Sequence, residues 1–88
     1  MLQAGAKVVD VRSPEEFDSG HVNGAVNIPL DELGQRIARI APDKSAPLLI
    51  HCLSGGRSAI ATNSLRRSGY TRAQNLGGLG RAKRIVES

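Results

Sequence analysis

Two short runs, Lys7-Val8-Val9-Asp10-Val11 and Leu48-Leu49-Ile50-His51, set apolar residues side by side rather than at every second position. A strand with one face in water alternates polar and apolar, so this density calls for a sheet covered on both faces. Between and after these runs the spacing becomes helical. Ser13-Pro14-Glu15-Glu16 offers a serine N-cap, proline at the first helical position and acids in the first turn, and this helix is expected to stop near Gly20. Residues 25–28 read as a short second strand ended by Pro29, after which Leu30, Leu33, Ile37 and Ile40 recur on one helical face, starting at Asp31 or the preceding turn. Pro42 and Pro47 bracket a loop, a helix is expected through 59–68 with Gly69 closing it, and residues 73–76 form a last strand before a basic tail helix around 81–87. Strands separated by helices imply right-handed βαβ units. The fold class is therefore α/β: a small, open, mainly parallel sheet of four to five strands flanked by helices, in a single domain over residues 1–88. Ligands of such sheets sit at the carboxyl ends of the strands, where Asp10, Arg12 and Cys52 all fall.

Size and composition exclude several classes. A chain of 88 residues buries only about 60–65% of its unfolded surface, which leaves no room for a second domain. One cysteine rules out an intramolecular disulfide, and no Cys/His group has zinc-site spacing, so neither metal nor cofactor is expected. No apolar stretch approaches the ~20 residues of a membrane span, and residues 1–5 lack the basic start and apolar core of a signal peptide. The expectation is a cytoplasmic monomer, or a periplasmic one if an upstream signal peptide has been removed. The formal charge of +4 comes from twelve Lys/Arg against eight Asp/Glu, with much of the excess at Arg66, Arg67, Arg72, Arg81, Lys83 and Arg84. Phe17 and Tyr70 are the only aromatics, too few to stack nucleic-acid bases, so these cations read as a solvated face that also attracts small anions.

Cys52 stands between the second apolar run and Leu53-Ser54-Gly55-Gly56-Arg57-Ser58. The free N–H groups of a loop that runs into a helix favour an anion, which makes Cys52 the candidate thiolate nucleophile and the six residues after it the candidate substrate-binding segment. Lowering a thiol from about 8.5 to roughly 6.5 requires about 2.7 kcal/mol of preference for the charged form. A helix dipole supplies ~0.3–1 kcal/mol, so loop amides or a cation such as Arg57 must supply the rest. A lone cysteine after a strand is also often a small buried hydrophobe. The Gly55-Gly56 pair argues for the loop chemistry, since glycines there suggest close backbone approach or positive φ.

The chain resembles the rhodanese family in three separated motifs. These are Val9-Asp10-Val11-Arg12-Ser13-Pro14-Glu15-Glu16-Phe17 followed by Gly20-His21-Val22-Asn23-Gly24-Ala25-Val26-Asn27-Ile28-Pro29, then Cys52 with its glycine loop, then Asn75-Leu76-Gly77-Gly78. The resemblance spans nearly the whole chain, which begins close to the Asp-x-Arg strand, as in the shorter phage-shock-type bacterial forms, and lacks a tryptophan often found after the late Gly-Gly. It implies thiosulfate sulfurtransferase or related persulfide chemistry on Cys52. Its partners would be a small anionic sulfur donor, a thiol or cyanide acceptor, and a sulfur-relay protein. Asp10 and Arg12 would brace the loop and the neighbouring strands. His21 belongs to the fold signature and His51 points away from Cys52 by strand alternation, so neither is assigned a proton role. Ser54 and Ser58 are placed to donate to a thiolate or to cap the following helix.

Two rival functions remain at this point. A phosphatase or arsenate reductase of the same fold carries a His-Cys-x5-Arg loop, whereas here four residues separate Cys52 from Arg57 and Ser58 holds the position that loop would require. A non-catalytic regulatory module would often lack the cysteine.

Overall fold

The computed structural model describes residues 6–87, so the signal-peptide reading of residues 1–5 lies outside the described residues. Among these, β1 (Lys7–Asp10), β2 (Val26–Asn27), β3 (Leu48–His51) and β4 (Ala73–Gly77) form one parallel sheet in the order β2-β1-β3-β4. Helices α1 (Pro14–Asp18), α2 (Leu33–Ile40), α3 (Gly56–Arg67) and α4 (Leu79–Glu87) flank it. The dense strand pattern has its reason in two separate cores. Val9, Leu48 and Ile50 pack with Leu33 and Ile37 of α2 and Ala61 and Leu65 of α3. Val8, the immediate neighbour of Val9, points the other way and packs with Val22, Leu76 and Ala82 of α4. Each fully buried aliphatic side chain stabilises the fold by about 1.5–3 kcal/mol, so both faces of the central strands contribute. Tyr70 is core as well, its hydroxyl donating to the Ala41 carbonyl at 2.8 Å, which removes one of the chain's aromatics from any stacking role.

Local chemistry sets the helix boundaries. The Ser13 hydroxyl accepts from the Glu16 N–H at 3.3 Å while the Ser13 N–H donates to Glu16 Oε1 at 3.0 Å, a reciprocal capping box with Pro14 at the first position. A 3-10 turn at Leu30–Glu32 leads into α2, in keeping with a start at Asp31 or the preceding turn, and the Val11 carbonyl accepts the Leu30 N–H at 3.2 Å. Helix α3 begins at Gly56, earlier than the expected 59–68, with left-handed Gly55 in the cap position. Ser58 is thus inside the helix and does not cap it.

Register positions the site. Val9 pairs with Ile50 and Asp10 with His51, so the C-terminal ends of β1 and β3 are level. Between β3 and β4 the register shifts, Ile50 pairing with Asn75 but His51 with Gly77. The extra residue on β4 is Leu76, which turns into the second core, and the displacement brings the Gly77 carbonyl to the Cys52 N–H at 3.1 Å.

Candidate active site

Cys52 follows β3 directly and shares the first core with Ile50, while His51 faces the opposite side of the sheet. Its side chain is 1% exposed. The chain after it doubles back so that main-chain donors converge on sulfur: the Gly55 N–H donates to Sγ at 2.9 Å and the Ser58 N–H at 3.4 Å. The turn depends on Gly55, whose φ of 104° lies where side-chain-bearing residues are strained. Gly56 carries no such requirement, as a Cβ there would meet open space. The stricter glycine is Gly78, where a Cβ would sit 2.5 Å from the Leu53 carbonyl oxygen. That close approach lets Ser54 and Gly78 form an isolated antiparallel bridge and the Leu79 N–H donate to the Leu53 carbonyl at 3.1 Å, tying the loop to the start of α4.

Burial pushes the Cys52 thiol up, but the Ser58 hydroxyl and the Ser58, Gly55 and Ser54 amides outweigh it and hold the group below its ordinary value. Of the two sources expected, loop amides or a cation, the amides are the ones in contact with sulfur, and the Ser58 hydroxyl joins them. They favour any anion on this sulfur, thiolate or persulfide alike.

Of the candidate residues, Ser54, Gly55 and Ser58 act on sulfur directly. Leu53 is 54% exposed and contributes its carbonyl rather than its side chain, and Gly56 opens α3. Arg57 departs from expectation: its guanidinium forms a two-pronged ion pair with Glu16, at 2.7 and 2.9 Å, instead of reaching the sulfur. The fork geometry of arginine matches a carboxylate, and the capping box already fixes Glu16 within reach. This pairing and the Ser13 N–H draw Glu16 down to about 2, so the pair is ionised across the working pH range. Arg57 still lies close enough for the Cys52 charge to be felt at its guanidinium. A cleft of about 450 Å³ opens beside it, over Val11, Ser13, Pro14, Pro29 and Leu30.

Asp10 and Arg12 were expected to brace the loop and the strands. Their side chains pair with each other and reach the turn after α1, not the Cys52 loop. Arg12 donates to both Asp10 oxygens at 2.7–2.9 Å and to the Gly20 carbonyl at 2.8 Å, on the face of the sheet away from Cys52. Strand alternation is the reason, since Asp10 shares its face with Val8 and His51. His51 Nε2 lies 3.8 Å from Asp10 Oδ2 without a hydrogen-bond partner, and Nδ1 lies 3.3 Å from the Cys52 carbonyl oxygen. His21 stacks on Phe17 at 3.8 Å on the surface of α1. Among the described residues no acidic, cysteine or histidine group has the arrangement of a metal site.

Two residues that sequence reasoning did not single out for the site belong to it. Asn75 accepts the Ser58 hydroxyl at 2.6 Å and the Gly77 N–H at 2.8 Å. Glu16 fixes Arg57. Asn75 stood out as part of a glycine turn and Glu16 as a first-turn acid, both within the family motifs but neither with a role at the sulfur.

Comparison with known proteins gives the family of this fold. The model of the Rhodanese-like domain matches residues 1–80. Thiosulfate sulfurtransferase PspE of Escherichia coli is 45% identical over 81% of this chain and 68% of its own length. YqhL of Bacillus subtilis is 45% identical over 83% of this chain, which spans only 56% of that protein. A solved rhodanese with anions from E. coli superposes with a TM-score of 0.84 at 42% identity, covering 86% of this chain and 89% of that one. By family model, relatives and fold together, the chain belongs to the rhodanese-like domain family and is an enzyme of the sulfurtransferase type.

Proposed function

We propose that Cys52 carries sulfane sulfur from thiosulfate or a persulfide donor to a thiol or cyanide. The observation that carries this reading is the cage of N–H donors on Sγ, led by Gly55 at 2.9 Å. In the first half-reaction the Cys52 thiolate attacks the outer sulfur of thiosulfate, an S–S bond forms to the enzyme, and the donor's S–S bond breaks with its electron pair leaving on sulfite. In the second, cyanide attacks the terminal sulfur of the persulfide and leaves as thiocyanate, returning the thiolate. No outside oxidant is needed. Both enzyme states are anionic at the same place, so one set of preorganised amides serves both. The Leu53-Ser54-Gly55-Gly56-Arg57-Ser58 segment binds the donor, with Leu53, Ser54 and Gly56 exposed on the loop and the Arg57–Glu16 pair beside it. Asp10 and Arg12 hold the sheet edge.

The phosphatase reading loses ground, because Ser58 stands where that loop needs its arginine and the neighbouring Arg57 guanidinium is engaged by Glu16. The deciding experiment is intact mass spectrometry after thiosulfate and then cyanide. The expected result is a one-sulfur adduct on Cys52 that cyanide removes; an unmodified Cys52 in a folded sample would overturn the assignment.

A further inference from the structure

The Ser58 hydroxyl has one proton and several claimants. Asn75 Oδ1 lies at 2.6 Å, the Gly55 carbonyl at 3.1 Å, the Gly77 carbonyl at 3.4 Å and Cys52 Sγ at 3.4 Å. The shortest contact takes it. The orientation of Asn75 is not free, because its Oδ1 also accepts the Gly77 N–H at 2.8 Å, and a flipped amide would set NH2 against that donor. With its proton on Asn75, the Ser58 oxygen turns lone pairs toward sulfur and accepts the S–H of a neutral thiol.

We propose that Asn75 is a positioning residue that holds the Ser58 hydroxyl in its proton-accepting orientation and so keeps resting Cys52 a thiol until the site is called on to bear charge. This rests on the reading of Cys52 as the nucleophile and adds the control of its charge state. When the thiol proton leaves to solvent, the Ser58 O–H turns from Asn75 to Sγ, and its donation joins those of Gly55 and Ser58 N–H. Asn75 Oδ1 is not left bare, since it keeps the Gly77 N–H. Serine thus works as a two-position rotor, accepting from thiol and donating to thiolate or persulfide, and the amide of β4 biases it toward the first position.

The charged groups around this centre do not share its partners. Arg57 of α3 is held by Glu16 of α1, the Arg81 side chain of α4 runs past Gly77, and Asp10, Arg12 and His51 lie on the other face of the sheet. A change of rotor bias is therefore separable from a change of nearby charge.

The test is a titration of thiolate by its ultraviolet absorbance, read as the difference from Cys52→Ser so that the Tyr70 phenol cancels and the signal is that of the only cysteine. It requires no sulfur donor, so its outcome stands whether or not sulfur transfer is observed. Asn75→Ser is the variant of choice: a serine hydroxyl can still accept the Gly77 N–H but falls short of Ser58. The midpoint is expected to move down by about 0.5–1 pH unit, the scale of one neutral hydrogen bond, and to stay where it is when the same change is made in Ser58→Ala. A downward shift of equal size in both backgrounds, no shift, or an upward shift would each overturn the proposal. A second measurement needs no change at Asn75: the S–H stretch of the unaltered protein should lie below that of a free thiol and return toward it in Ser58→Ala. A free-thiol frequency in the unaltered protein would also overturn it.

Discussion

The C-terminal edge of the sheet carries two buried polar centres back to back. On one face Asp10, fully buried, is matched by Arg12, which is 3% exposed, through three side-chain hydrogen bonds of 2.7–2.9 Å. On the other, Cys52 is equally enclosed but is met by main-chain N–H groups at 2.9 and 3.4 Å and by a serine hydroxyl that can turn. The first centre is balanced: each charge is neutralised by the other, and Arg12 Nη2 donates to the Gly20 carbonyl as well as to Asp10. The second is one-sided. It gathers donors around sulfur with no cation hydrogen-bonded to it, so the surplus favours an anion there. Structure is secured by the balanced pair and chemistry by the unbalanced one.

The largest expected effect separates the two directly. Cys52→Ser should reduce sulfur transfer by at least about a thousandfold, because the nucleophile is gone, while far-ultraviolet circular dichroism and the unfolding midpoint change little. Arg12→Ala should do the opposite. It leaves Asp10 as an uncompensated buried charge at a cost of about 3–5 kcal/mol, enough to unfold much of so small a domain, while any folded fraction retains the Cys52 titration. Should Arg12→Ala shift that titration in folded protein, the two faces are coupled and the contrast fails.

How much of this was legible in the sequence follows the same division. Adjacent valines announced a two-faced sheet because burial pattern is local, and the Cys52 loop stood out through Gly55, whose positive φ only glycine accepts without strain. Strand alternation also placed His51 away from Cys52. Alternation equally separates Asp10 from Cys52, but that inference needs the pairing register of β1 against β3, which no single run of residues contains. Asn75 and Glu16 were hidden for a related reason. They reach the site from 17 and 41 residues away along the chain, and their local roles, an Asx turn and a capping box, already accounted for their presence.

Arg57 offers a smaller test. If the N–H cage is the main source of anion stabilisation, Arg57→Ala should lower kcat/KM for thiosulfate by only about tenfold or less, since its charge is already matched by Glu16 and partly screened by solvent. Glu16→Gln should release the guanidinium and lower KM for this anionic donor by about two- to fivefold, leaving it unchanged for a neutral persulfide donor. A loss of a hundredfold or more in Arg57→Ala would move the centre of the site from the backbone to the side chain.

The smallest effect is thermodynamic and has a definite sign. Burial raises the Cys52 thiol, but the Ser58 hydroxyl and the Ser58, Gly55 and Ser54 amides together leave it below its ordinary value. The folded protein therefore releases this proton at a lower pH than the unfolded chain does. Between those two points the unfolded state binds more protons, and stability rises with pH. The contribution is complete above the unfolded value and is lost as pH falls through the folded one. Urea unfolding of the unaltered protein and of Cys52→Ser, measured in parallel from neutral pH upward, isolates it, because the other titrating groups are common to both. The difference in stability should move in favour of the cysteine protein as pH rises. A flat or falling difference would mean that desolvation cancels the cage, and that the face built from amides holds sulfur without favouring its charge.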